Sequence, residues 1–120
     1  LKDAVLTSIF GEARTSSYHK GIDLAKNLGE EVHNAYEGTV IFSDYNNGGY
    51  GNLVIVQHEN DMQTYYAHLN EIYVSKGQYI GTEEVLGTVG TTGYSTGPHL
   101  HFELRVGGNP VDPTQYILWI

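Results

Sequence analysis

A chain of 120 residues with 40% apolar content is one domain, large enough to build a core without covalent staples. It has no cysteine, which excludes thiolate metal sites and thiol nucleophiles, so any metal must rest on His, Asp or Glu. A formal net charge of −8 with only six Lys and Arg argues against nucleic acid, whose phosphates require clustered cations.

Fifteen glycines and ten tyrosines among short Val, Ile, Tyr and Phe runs predict a turn-rich, mainly β chain. Residues 4–10 are an apolar lead-in ended by Gly11. From Tyr18 to Ala25 the text reads Tyr-His-Lys-Gly-Ile-Asp-Leu-Ala, and an extended backbone puts His19, Gly21 and Asp23 on one side. Gly38 to Ser43 predicts a strand and residues 44–49 a turn. Gly51 to His58 is apolar on both faces. Glu59-Asn60-Asp61 then turns it into Met62–Leu69 as an antiparallel hairpin. Within that second arm, alternation puts Tyr66 and His68 on one face, opposite Tyr65, Ala67 and Leu69. Three very short strands are expected over residues 72–89, followed by a loop rich in turn formers over 90–98.

The next run, His99-Leu100-His101-Phe102-Glu103-Leu104-Arg105-Val106, reads with a period of two. Leu100, Phe102, Leu104 and Val106 fall on one face, and His99, His101 and Glu103 on the other. Gly107-Gly108-Asn109-Pro110 closes the strand, and a tail is expected to pack Tyr116, Ile117, Leu118 and Trp119 on the body. No helix longer than two turns is predicted. The implied architecture is all-β, a compact antiparallel β-sandwich or partly open barrel, as a single domain over residues 1–120. A chain that begins at Leu1 rather than Met reads as excised from a longer protein with companion domains. No apolar run approaches the ~20 residues of a membrane span, so membrane insertion is not expected.

Two strand residues rise by roughly 6.6 Å, so the imidazoles of His99 and His101 can both reach one small object above the sheet. A metal ion with its bound water is such an object. A catalytic zinc usually takes three protein ligands and keeps a fourth position for water. His19, Asp23 and His101 can supply them, and two neutral imidazoles with one carboxylate leave a net charge of +1, which favours hydroxide near neutral pH. Hydrolysis also needs a group to handle the water proton and one to stabilise the oxyanion, and His68 and His99 are the candidates. His33 and His58 have no partner at useful spacing and read as ordinary surface or strand-end residues. Glu103 either orients a ligating imidazole or is a solvated carboxylate.

With those residues in hand, the sequence resembles the lysostaphin-like, or LytM-type, zinc endopeptidases that cut peptide cross-links of bacterial peptidoglycan. His19-Lys-Gly-Ile-Asp23, Tyr66-Ala67-His68-Leu69 and Ser95-Thr96-Gly97-Pro98-His99-Leu100-His101-Phe102-Glu103 resemble the three family motifs in order. Gly49-Tyr50-Gly51-Asn52, Lys76-Gly77-Gln78 and Val111-Asp112-Pro113 also fall where that family has similar text. The resemblance implies a lysostaphin-like fold with an active-site groove and one Zn2+ per domain, bound by His19, Asp23 and His101. It further implies that His68 and His99 line the catalytic water and scissile carbonyl. Loops after Ser43 and around residues 92–96 would form cleft walls, with Tyr66 and Tyr94 as substrate contacts. The implied partner is peptidoglycan, and the implied location is extracytoplasmic: secreted, wall-associated or virion-borne. One departure is that Phe10-Gly11-Glu12-Ala13 delays Arg14, leaving a short loop of residues 15–18 before His19.

Two other classes compete with an endopeptidase. A non-catalytic regulatory or binding module of the same fold would be expected to lack one or more of the five site residues, and all five are present. A biotinyl, lipoyl or phosphoryl carrier would suit the Gly-punctuated run from Val74 to Gly90. However, no Lys sits at a tight exposed hairpin tip, and Asp23 beside His19 would repel a phosphoryl group. Whether a glycine bridge or a D-alanine–diamino acid bond is the target is not written in the sequence.

Overall fold

The computed structural model describes residues 4–12 and 19–116. The described residues form ten strands and one short 3-10 turn at Pro113–Gln115. The strands are β1 (Val5–Ser8), β2 (Ile22–Ala25), β3 (Glu31–His33), β4 (Gly38–Asn46), β5 (Gly51–Gln57), β6 (Met62–Leu69), β7 (Tyr79–Ile80), β8 (Val85–Thr88), β9 (His99–Val106) and β10 (Asn109–Val111). Eight of them make one sheet in the order β1-β2-β9-β6-β5-β4-β7, with β10 added alongside β9. Strands β3 and β8 pair as a small second sheet, and every pairing is antiparallel.

The apolar alternation explains how these layers meet. Leu24, Val40, Val54, Val56, Tyr66, Leu100 and Phe102 of the large sheet share one core with Val32 of β3 and Leu86 of β8. The expected all-β antiparallel sandwich is therefore the observed one, with layers of unequal size. The opposite face of β2, β9 and β6 carries Asp23, His101, Glu103 and Tyr65, because neighbours along a strand point to opposite sides.

Gly21 allows this arrangement at its tightest point. A Cβ there would lie 2.2 Å from the carbonyl oxygen of Phe102, so only glycine lets the chain enter β2 this close to β9. The register that follows sets Asp23 directly across from His101.

The hairpin of β5 and β6 forms as expected, with Asn60 and Asp61 of its turn in the left-handed region. Strand β4 runs further than the sequence suggests. Asp44, Tyr45 and Asn46 continue the ladder against Leu53, Asn52 and Gly51 instead of turning, because ladder bonds are made by backbone and tolerate polar side chains on a solvent-facing arm.

Tyr66 is the one expected site residue that the fold removes from the cleft. Its side chain is 1% exposed and packs edge-on against Phe102 at 5.3 Å. Its hydroxyl donates to Asn34 Oδ1 at 3.1 Å and accepts from the Ala35 N–H at 2.9 Å. The physical reason is a bulge: Val54 pairs with Tyr66 and Asn52 with Leu69, so Ala67 and His68 together oppose Leu53 alone. His68 takes φ +63°, which breaks the alternation and turns its ring away from the face Tyr66 occupies. In the tail Tyr116 is 51% exposed rather than packed. The expectations for Arg14, the 15–18 loop, Ile117, Leu118 and Trp119 fall outside the described residues.

Candidate metal centre and catalytic cleft

Three donor atoms from two adjacent strands and the segment before them converge on one point. His19 Nε2 lies 3.2 Å from Asp23 Oδ1 and 3.2 Å from His101 Nδ1, and His101 Nδ1 lies 2.8 Å from Asp23 Oδ1. Among the described residues this is the only set of three or more His, Asp and Glu side chains positioned to hold a metal ion.

The outer atoms of both rings fix which nitrogen is free. A carbonyl only accepts, so His19 Nδ1 must donate its proton to the Ile9 carbonyl, 2.8 Å away. His101 Nε2 likewise donates to the buried Glu103 carboxylate at 2.7 Å. In the neutral tautomers, His19 Nε2 and His101 Nδ1 are therefore lone pairs facing each other and a carboxylate. Such a set repels itself unless a cation lies between. Tetrahedral zinc with ligand bonds of about 2.0–2.1 Å separates neighbouring donors by roughly 3.3 Å, close to what these three atoms show. The residues fit the ion.

Charge at the centre follows from the same contacts. Burial opposes ionisation of Asp23, yet its hydrogen bonds to His101 and His19 hold the carboxyl far below the usual carboxylate range. Burial also opposes charge on His101, but Asp23 and Glu103 outweigh it and raise the ring to about 9. Without metal, a proton on His101 thus supplies the positive charge, and a divalent ion would replace it.

The groups that hold Glu103 in turn go beyond the sequence expectation. Arg105 binds Glu103 Oε1 through Nη2 at 2.7 Å and Nε at 3.0 Å, while stacking over the Tyr65 ring at 4.3 Å. Tyr50 donates its hydroxyl to Glu103 Oε2 at 2.6 Å and sets its ring 5.8 Å from that of His101. The signal for Arg105 was present, since it continues the period-two face of His101 and Glu103. Tyr50 comes from a distant loop and gave only its place in Gly49-Tyr50-Gly51-Asn52. Of the two readings of Glu103, the geometry matches the orienting one.

Beside the three donors stand the other two histidines. His99 donates Nδ1–H to the Gly97 carbonyl at 2.9 Å, and its Nε2 is 3.7 Å from Asp23 Oδ1. His68 donates Nδ1–H to the Thr92 carbonyl at 2.7 Å, and its ring lies 4.7 Å from that of His99. Burial, with the neighbouring His99 and His101, pushes His68 down to about 4 against the pull of the Thr92 bond. It is neutral at neutral pH, with Nε2 unprotonated.

A cleft of about 220 Å³ opens over these groups, lined by Gly48, Gly49, Tyr50, His68, Tyr94 and His101. Tyr94 is 84% exposed and is pinned through its backbone N–H to the Gly49 carbonyl at 2.8 Å, joining the two loops expected as cleft walls. His33 is apart from this cluster, facing Glu31 at 3.8 Å, and His58 bonds the Glu37 carbonyl and Thr64.

The family model for peptidase family M23 matches residues 17–113, from the segment before His19 to the end of the sheet. The chain belongs to peptidase family M23. This M23 domain is 45% identical over 100 residues to the DD-carboxypeptidase/endopeptidase Mpg of Neisseria meningitidis, across 83% of this chain and 23% of that protein. It is 35% identical over 99 residues to the murein hydrolase activator NlpD of Salmonella dublin, across 82% of this chain and 26% of that protein. A zinc-containing peptidase from Vibrio cholerae has the same fold, with a TM-score of 0.86 at 35% identity over 93% of this chain and 36% of that one. The M23 domain thus spans about a quarter of the length of these two curated relatives. The family is a zinc-dependent peptidase family, in keeping with the lysostaphin-like resemblance, and its members near this chain include both hydrolases and an activator.

Proposed function

We propose that this M23 domain is a zinc endopeptidase that hydrolyses peptide cross-links of bacterial peptidoglycan. The observation that carries the reading is the pairing of His68 and His99 beside the three donors, each with Nδ1–H tied to a backbone carbonyl, which leaves Nε2 as the basic nitrogen of each ring. His19, Asp23 and His101 would hold the ion, which when bound supplies a Lewis acid and an acidified water. A lone pair on Nε2 of His68 or His99 accepts the proton of the attacking water. The imidazolium so formed hydrogen-bonds the developing oxyanion and passes that proton to the leaving amine, so the proton count closes. Glu103, Tyr50 and Arg105 keep His101 in the tautomer the site needs. Tyr94, exposed on the cleft wall, is the candidate contact for the peptide.

Relatives that act on the wall support an extracytoplasmic location and companion domains beyond this chain. The similarity to NlpD favours one second reading, a module that activates other hydrolases without cutting. Retention of all five site residues weighs against it.

Digestion of two purified peptidoglycans, one glycine-bridged and one directly cross-linked, by zinc-loaded protein separates the readings. Peptides released from either wall and abolished by a chelator are the expected result, and mass spectrometry of them identifies the bond. No release from either wall despite stoichiometric zinc overturns the endopeptidase reading in favour of the activator.

A further inference from the structure

Strand β5 starts at Gly51 beside the cleft and ends at Gln57, so its two ends are about 20 Å apart. At the far end lies a second cavity of about 550 Å³, larger than the cleft and within the range that holds small ligands. Its wall presents Tyr36, Tyr79 and Tyr116, together with Met62 and the carboxylates of Glu37 and Glu59. Among the described residues no Lys or Arg lines it. The three tyrosines are 39%, 63% and 51% exposed, so they are open surface rather than core.

Several of these groups are fixed in place. Tyr79 donates its hydroxyl to Glu37 Oε2 at 2.9 Å. Tyr36 stands edge-on to His58 with centroids 6.0 Å apart, and His58 Nδ1–H donates to the Glu37 carbonyl at 3.0 Å. Burial lowers the pKa of His58, so it adds no positive charge to the wall.

Aromatic faces are electron-rich, and two carboxylates with no basic partner among the described residues of the wall make it negative. Such a surface repels anions. A neutral sugar could lie on the rings and donate hydroxyls to the carboxylates, but it brings no positive charge to offset theirs. An alkyl chain ending in ammonium uses both, its methylenes against Met62 and the rings and its charge beside Glu37 and Glu59.

We propose that this cavity is a binding site for the side chain of a lysine residue in a peptide. The charge also sets its selectivity. A diamino acid carrying a carboxylate beside its terminal amine would bring that carboxylate against Glu37 and Glu59 and be disfavoured. This site stands whether or not the cleft is hydrolytic.

The test is NMR titration of the zinc-loaded 120-residue chain with Nα-acetyl-lysine methylamide. Nα-acetyl-norleucine methylamide, a peptide containing diaminopimelate, and an N-acetylglucosamine disaccharide serve as comparisons. The expected result is a saturable shift of the Gln57–Asn60 and Tyr79 amide signals with the lysine ligand only. That binding should weaken about three- to fivefold in Glu59→Gln, and again in 0.5 M salt, as for a surface charge contact. Tyr79→Leu should weaken it as well, and if that variant does not fold, Glu59→Gln alone carries the comparison. Equal binding of norleucine, preference for the sugar or the diaminopimelate peptide, or no shift at all overturns the proposal. Wall digestion is measured separately, so failure of one reading leaves the other intact.

Discussion

Glu103 and His101 stand two residues apart on β9 and share a 2.7 Å hydrogen bond from Nε2–H to Oε2, with Glu103 1% exposed. That bond decides which nitrogen of His101 faces Asp23. It is costly to leave a carboxylate this deep, and Tyr50 and Arg105 offset the cost by occupying its remaining lone pairs.

Glu103→Gln keeps the shape and removes the charge. Zinc affinity should fall about 10- to 100-fold, the usual range for a group that orients a ligand. Competition against a chelator of known affinity measures it. Unchanged affinity would mean that Glu103 does not tune His101.

His99→Ala and His68→Ala each remove an imidazole beside the site and leave the three donors in place. Each should lower turnover by about 10²- to 10⁴-fold, the span for a proton-transfer group. Zinc content should remain near one ion per domain. A variant with full activity would take its histidine out of the mechanism.

Removing the metal should lower stability, because His19, Asp23 and His101 then hold a repulsive donor set or a protonated ring. Zinc at 100 times its dissociation constant adds about 2.7 kcal/mol, which in a chain of this size raises Tm by on the order of 10 °C. Calorimetry with and without chelator reads this. Asp23→Asn should show little zinc-dependent rise.

His58 gives a pH dependence away from the metal. Burial lowers its folded pKa below the ordinary 6.5, so the unfolded chain takes the proton first as pH falls. The stability it contributes is complete above about 6.5 and is lost as pH drops through the folded value. Urea midpoints at pH 7.5 and 5.5 should therefore separate more for the wild-type chain than for His58→Gln. Parallel shifts in the two proteins would contradict this.

Tyr66→Phe deletes the hydroxyl that contacts Asn34, Ala35 and Thr64 beneath the sheet. The loss should cost about 1–3 kcal/mol of stability, because the Ala35 N–H and Asn34 Oδ1 are left buried without that partner, while Thr64 keeps His58. At a temperature where the variant is folded, kcat/KM should be unchanged. A raised KM at wild-type stability would restore Tyr66 to the substrate cleft.

Much of this protein was legible in its residues. Absence of cysteine confined any metal to His, Asp and Glu. The period of two over 99–106 placed His99, His101 and Glu103 together, because alternation is a local property of an extended backbone. His19 and Asp23, separated by a small Gly21, were readable as a pair for the same reason. Tertiary structure decided what alternation cannot reach. The β2–β9 register set Asp23 against His101, 78 positions away. A bulge and one positive φ turned His68 toward the cleft and left Tyr66 in the core, reversing the face that strict alternation gives. Tyr50, from a loop about fifty residues earlier, and Arg105 closed the support of Glu103. Partners brought together by strand register and loop closure depend on the whole sheet, and no short stretch of sequence encodes them.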